Sequence, residues 1–278
     1  MIRIIPRLDI KGPNLVKGIH LEGLRVLGKP EEFARYYYNN GADELFYQDV
    51  VASLYRRNSL KEIIKKTARD IFIPLTIGGG IRSLNDIRDI LRSGADKVSI
   101  NTAAVKNPDF IKEASQEFGS STIVVAIETI REKDGSFLIY TDNGREYTGI
   151  KALEWAKKVE KLGAGEIILT SVDREGTRTG FDIELTKTIA ENLSIPVIAH
   201  GGAGSPKDIV EVISKGKVNA IAVASILHYD FVEKNKVISN YKEEGNIEFL
   251  KKRQKKENNF SLADIKNILR KKNIECRY

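Results

Sequence analysis

The chain carries one pattern twice. GADELFYQD at 41–49 aligns with GAGEIILTS at 163–171, and IPLTIGGGIRS at 73–83 aligns with IPVIAHGGAGS at 195–205, both at an offset of 122 residues. DKVSINT at 96–102 matches NAIAVAS at 219–225 at an offset of 123. Solenoids and propellers repeat every 20 to 50 residues or so, far shorter than this. Two copies fit in 278 residues, so the chain is expected to be two half-structures of about 1–120 and 121–278 joined into one domain.

The repeated unit alternates strand and helix. Short β-branched runs stand at 4–10, 44–50, 73–77, 97–101, 122–128, 166–172, 195–200 and 220–225. Between them lie stretches of helical period, at 30–42, 83–95, 149–164 and 206–216. Ser83 with Asp86 three residues on has the form of a capping box, and Ser205 before Pro206 is an N-cap with proline at the first helical position. Eight near-continuous apolar strands, each followed by a helix, predict a closed parallel (β/α)8 barrel with its helices outside. The stretch at about 230–260 has no counterpart in the first half and is expected to be an insertion after strand eight, followed by a last helix at 261–272.

Composition narrows the function classes. Hydrophobic residues make up 41% and charged residues 30%, and no apolar run reaches the ~18 residues of a membrane helix. The one cysteine, Cys276, has no partner in the chain, and MIRIIPRLDIKG lacks the features of a signal peptide, so a cytoplasmic location is expected. The net charge of +7 is concentrated in the tail: residues 231–278 hold 13 of the 45 Lys and Arg and 7 of the 38 Asp and Glu, which leaves 32 against 31 elsewhere. A nucleic-acid-binding surface is therefore not favoured, and KKRQKKE at 251–257 is expected to be a solvated charge run.

In a barrel of this kind the reactive groups come from the C-terminal ends of the strands. Asp9 ends strand one and Glu128 ends strand five, at an offset of 119, so two carboxylates are expected to face each other across the mouth and to divide acid and base work. Gly78-Gly79-Gly80 after strand three and Gly201-Gly202 after strand seven each lead into a helix, where backbone N–H groups can approach an anion closely. Asn101 and Thr102 after strand four and Ser225 after strand eight can complete two phosphate sites, one per half. The ligand is then a small molecule with a phosphate at each end. At the opposite ends of the strands, Arg3, Glu44, Lys97 and Glu166 would form a self-paired ring, either a structural plug or a gate. The sequence holds no HExxH, CxxC or GxxxxGK[ST], so neither a metal nor a nucleotide cofactor is expected. Trp155 falls within a helix as a core residue, and Tyr36 to Tyr38 as a helix face.

RIIPRLDIK, LVKG, GADEL, IPLTIGGGIRS, GADKVSINTAAVKNP, VVAIE, YTGI, GAGEIILTSVDREGT, IPVIAHGGAG and AVASILH together resemble the cyclase subunit family of imidazole glycerol phosphate synthase, from histidine biosynthesis. The resemblance covers about residues 1–229 and returns at 261–278. It implies a TIM barrel that takes ammonia from a glutaminase docked at its N-terminal face. The ammonia is condensed with a bis-phosphorylated ribulosyl formimino carboxamide ribotide, giving imidazole glycerol phosphate and an aminoimidazole carboxamide ribotide. On this resemblance Asp9 is a catalytic acid/base. Gly80, Asn101 and Thr102 form one phosphate site, Gly202 and Ser225 the other, and Lys17 belongs to a mobile first loop. Arg3, Glu44, Lys97 and Glu166 become an ammonia gate.

The chain departs from that family at four mouth positions. Glu128 and Glu175 stand where the family has Asp, Arg7 where it has Cys, and His200 where it has Ser. Each Glu moves its carboxylate by more than about 1 Å, a displacement that can cost about a hundredfold in rate, and the added Arg and His are expected to make the mouth more basic. These departures suggest a specialised copy. A second reading is a non-cyclising subunit that passes ammonia to a sugar-amidating enzyme in surface-polysaccharide synthesis; a phosphosugar isomerase is a third, which leaves the four-charge ring unexplained.

Overall fold

In the computed structural model, which describes residues 1–52, 60–235 and 259–277, the eight expected strand segments close on one another. In chain order the strands are β1 (Arg3–Lys11), β2 (Asn14–Ile19), β3 (Glu22–Gly28), β4 (Leu45–Asp49), β5 (Leu75–Gly78), β6 (Lys97–Ile100), β7 (Ile123–Arg131), β8 (Phe137–Thr141), β9 (Glu146–Lys151), β10 (Glu166–Ser171), β11 (Val197–His200) and β12 (Ala220–Val223). β1, β4, β5, β6, β7, β10, β11 and β12 pair in parallel in that order, and β12 pairs back to β1. The result is a closed (β/α)8 barrel. The helices α1 (Pro30–Asn39), α2 (Lys61–Asp70), α3 (Leu84–Arg92), α4 (Thr102–Lys106), α5 (Asp109–Phe118), α6 (Ala152–Lys161), α7 (Ile183–Ala190), α8 (Pro206–Gly216), α9 (Ser225–Lys234) and α10 (Leu262–Lys271) follow the strands. Among the described residues, no helix is long and apolar enough to cross a membrane.

Strand periodicity divides the core in two. Ile4, Leu8, Ile10, Leu45, Tyr47, Ile77, Val98, Val125 and Ile167 point outward against the helices in the larger cluster. Ile5, Phe46, Val124, Ile168, Ile198, Ala220 and Ala222 point inward and fill the lumen as a separate cluster. The same alternation puts Arg3, Ile5, Arg7 and Asp9 on one face of β1, so the barrel axis is polar at both ends and apolar between them. Trp155 is buried in the larger cluster, as are Tyr37 and the partly buried Tyr36 and Tyr38 packed against it.

The helix starts that matter to the site are fixed by short-range chemistry. Ser83 Oγ accepts from Asp86 N at 3.2 Å while Asp86 Oδ2 accepts from Ser83 N at 3.0 Å, and Ser205 with Asp208 repeats the arrangement. Each such cap is worth about 1 kcal/mol, and each sets a helix N-terminus just beyond a glycine turn. The last helix returns to the barrel through a buried ion pair: Lys266 Nζ lies 3.0 Å from Asp43 Oδ1, and Asp43 Oδ2 accepts from Ile4 N at 2.7 Å.

Two features differ from the sequence expectation. β2–β3 and β8–β9 are antiparallel hairpins grown from β1 and β7, so the helical stretch expected at 149–164 begins at Ala152, with Gly149 to Lys151 in β9. Asp230 lies inside α9, which runs through the expected start of the insertion. The rest of that insertion, residues 236–258 with the basic run 251–257, lies outside the described residues.

Candidate active site

Asp9 and Glu128 sit where their strands leave the barrel and continue into the hairpins. Both are buried. Arg7, one pleat below Asp9, stands close to both carboxylates: its Nε donates to Asp9 Oδ1 at 3.0 Å, and its charge acts on Glu128. Lys17 reaches down from β2, with Nζ 3.2 Å from Asp9 Oδ2 and a second ion pair to Glu175. Lys17 therefore belongs to a hairpin strand folded over the mouth, and its side chain is buried.

The two carboxylates have opposite electrostatics. Burial alone would raise the pKa of Asp9, but Arg7 and Lys17 overcome it and hold the carboxyl well below the usual carboxylate range. Burial pushes Glu128 up to about 7, and the pull of Arg7, the Gly144 N–H and the Asn101 side chain only partly offsets it. Gly144 N donates to Glu128 Oε2 at 3.0 Å. The extra methylene of Glu128 relative to Asp thus extends it to the turn of the second hairpin.

The first glycine turn opens into a cavity of about 520 Å³, lined by Gly79, Gly80, Arg82, Asn101, Thr102, Lys106 and Glu128 among others. Gly79 and Gly80 have φ of 99° and 72°. A Cβ on Gly79 would lie 2.3 Å from Asp49 O, so only glycine brings the backbone this close. Arg82 and Lys106 were not singled out from the sequence, although the IRS that follows the glycines placed a cation beside them. The second glycine turn is tighter. Gly202, Ser225, Lys17, Glu175 and His200 enclose only about 20 Å³, room for roughly one water. A Cβ on Gly202 would fall 2.1 Å from Gly180 O.

His200 does not add charge to the mouth. Burial and the neighbouring Arg7 push it well below its ordinary value, so the expected gain in basicity comes from Arg7 alone. His228, also buried, donates Nε2–H to Arg7 O at 2.9 Å and accepts at Nδ1 from Tyr37 Oη at 2.6 Å, which pins the Arg7 backbone from the helix side. Burial takes its pKa to about 3, so it is a neutral structural strut.

At the other end, the four charges pair in a closed ring. Arg3 Nη1 lies 2.7 Å from Glu44 Oε1, and Arg3 also pairs with Glu166. Lys97 Nζ lies 3.2 Å from Glu44 Oε2 and 3.1 Å from Glu166 Oε2. Each cation bridges both carboxylates, and the two carboxylates are the more deeply buried members.

The chain matches the family model for histidine biosynthesis proteins over residues 3–233. The imidazole glycerol phosphate synthase subunit HisF of Legionella pneumophila is 60% identical over 203 residues, covering 73% of this chain and 96% of that one. The subunit of the same name from Alkaliphilus metalliredigens is 48% identical over 230 residues, covering 83% and 91%, and that from Lactococcus lactis subsp. cremoris is 52% identical over 228 residues, covering 82% and 88%.

Proposed function

This chain belongs to the histidine biosynthesis family, among the HisF subunits of imidazole glycerol phosphate synthase, and we propose how its mouth performs the cyclase reaction. The observation that carries the proposal is Glu128: a carboxyl poised near pH 7 in the wall of a cavity that also holds a glycine turn and two cations. Joining ammonia to a carbonyl carbon and closing a ring requires protons to leave nitrogen and to reach departing oxygen, and a group that titrates near the working pH does both best. Glu128 takes that role. Asp9 remains a carboxylate, stabilising cationic nitrogen as it forms and serving as a base once Lys17 withdraws.

One phosphate of the ribotide is held by Gly80, Asn101 and Thr102, with Arg82 and Lys106 supplying charge. The other belongs at Gly202 and Ser225. A phosphate is larger than the space now present there, so the second end of the ligand enters as Lys17 leaves Glu175 and turns toward the anion. The ring of Arg3, Glu44, Lys97 and Glu166 then stands as the gate for ammonia arriving from a glutaminase on the N-terminal face.

The experiment is a steady-state assay of the purified chain with ammonium and the bis-phosphorylated ribotide, over a range of pH. Formation of imidazole glycerol phosphate, with a limb near pH 7 that is lost in Glu128→Gln, supports the assignment. Turnover with a pH profile unaltered by that substitution refutes it.

A further inference from the structure

The two halves of the barrel fill the same space differently. In the first, Gln48 is long and its neighbour Gly78 has no side chain; a Cβ at Gly78 would meet Gln48 Oε1 at 2.3 Å. In the second, the matching positions are Thr170, which is short, and His200, which is long. The imidazole occupies the room that Thr170 leaves, and its two nitrogens face different surroundings.

Nδ1 lies 3.0 Å from Arg7 Nη1 and 3.1 Å from Thr170 Oγ1. A guanidinium has donors only, so Nδ1 must carry the lone pair and the ring proton must sit on Nε2. Among the described residues Nε2 has no hydrogen-bond partner, and it is not one of the fully occluded unpaired atoms. The residue is 4% exposed and lines the second glycine cradle with Gly202 and Ser225. A donor without a protein acceptor beside the cradle is available to a ligand oxygen bound there.

We propose that His200 is a ligand-binding residue of the second cradle, locked by Arg7 in the Nε2–H tautomer so that this hydrogen is donated to a phosphate oxygen bound between Gly202 and Ser225. The proposal rests on the reading of that cradle as a phosphate site. Arg7 is its positioning residue. The charged groups around the ring are Arg7 and Asp9 on β1, Lys17 on β2 and Glu175 after β10. Burial, Arg7 and Lys17 oppose a second ring proton and Asp9 favours it, with the balance on the neutral side. A neutral donor selects for an acceptor oxygen without adding charge, which leaves Lys17 to neutralise the anion.

The test is long-range ¹H–¹⁵N NMR of the full chain labelled at histidine, with His200 assigned by His200→Gln. The expected spectrum shows the Nε2–H tautomer of His200, no titration between about pH 5.5 and 8 around the ordinary histidine range, and a shift of Nε2 but not Nδ1 when inorganic phosphate is added. In Arg7→Met the tautomers should mix. An Nδ1–H tautomer, a ring that titrates in that range, or an Nε2 resonance unmoved by phosphate overturns the proposal. These readouts need no turnover, so they stand apart from the cyclase reading. In the ammonium-dependent assay, His200→Leu should raise KM for the ribotide about tenfold, as loss of one hydrogen bond to an anion does, with kcat within about twofold. His200→Gln, whose Oε1 can accept from Arg7 while Nε2 donates, should restore it. A fall in kcat at constant KM contradicts a ligand-binding role.

Discussion

Lys17, carried on a hairpin outside the barrel, places its Nζ 3.2 Å from Asp9 Oδ2 at the barrel mouth. Glu175 completes the tie: it pairs with Lys17, its Oε2 accepts from Leu21 N at 2.8 Å, and its carbonyl accepts from His20 N at 3.0 Å. Lys17, His20 and Leu21 therefore all tie the hairpin to Glu175. Replacing Lys17 by Met leaves two buried carboxylates short of a cation, a loss of about 3–5 kcal/mol for a broken buried pair. Hydrogen exchange at residues 15–28 should quicken by tenfold or more while the lumen residues of β10 and β11 keep their protection. Unchanged exchange in the hairpin would mean that Lys17 does not hold it.

Asp9→Asn should lower ammonium-dependent turnover by at least about a hundredfold, the scale of a lost acid/base group. The amide removes the negative charge that Arg7 and Lys17 face, so folding must be verified by circular dichroism beside the assay. Turnover equal to that of the unaltered protein would remove Asp9 from the mechanism.

Glu128 makes a stability prediction whose sign is unusual for a carboxylate. Its folded pKa of about 7 stands above the ordinary value of 4.5, so between those values the folded state binds more protons than the unfolded one. Stability then falls as pH rises through that window, by roughly 3 kcal/mol in total. Asp9 acts in the opposite sense: held low in the fold, it contributes stability above pH ~4 that is lost as the solution is made more acid. Glu128→Gln should therefore stabilise the protein in urea at pH 8 and do little at pH 4.5. Equal effects at both values would show that Glu128 does not titrate in this window.

The barrel was legible because its signals are local or repeated. Eight apolar runs, the 122-residue offset, and the Ser83 and Ser205 caps all lie within a few residues or copy one another. Asp9, Glu128 and the glycine turns could be placed at the mouth for the same reason. The hairpins were not legible: FLIYT at 137–141 is short, and Gly149 to Lys151 run straight into the helical period of α6. Nor was the joining of the four altered positions. Arg7 and His200 stand 193 residues apart in the chain and 3.0 Å apart in space, a contact that no periodicity announces. The closure of the second cradle likewise depends on Lys17 descending from a strand whose pairing the sequence pattern did not show.

If the ring at the N-terminal face is the proposed gate, altering it should separate delivery of ammonia from its use. Reversing Lys97 to Glu breaks two ion pairs and crowds three carboxylates, so a loss of several kcal/mol in stability is expected and the melting temperature must be checked. In the complex with a glutaminase, glutamine-dependent product formation should fall while ammonium-dependent formation stays within about twofold, since the lumen cluster lies between the ring and the mouth. Equal losses in a folded protein would make the ring a structural plug.

With Glu128 and Arg7 in place of the Asp and Cys that the family resemblance implies, the mouth of this barrel is proposed still to close the imidazole ring. The most direct measurement is product analysis after incubating the purified chain with ammonium and the bis-phosphorylated ribotide. Imidazole glycerol phosphate and the aminoimidazole carboxamide ribotide should appear in equal amounts, with turnover lost in Asp9→Asn. Binding of the ribotide by the folded chain with neither product formed would contradict the claim.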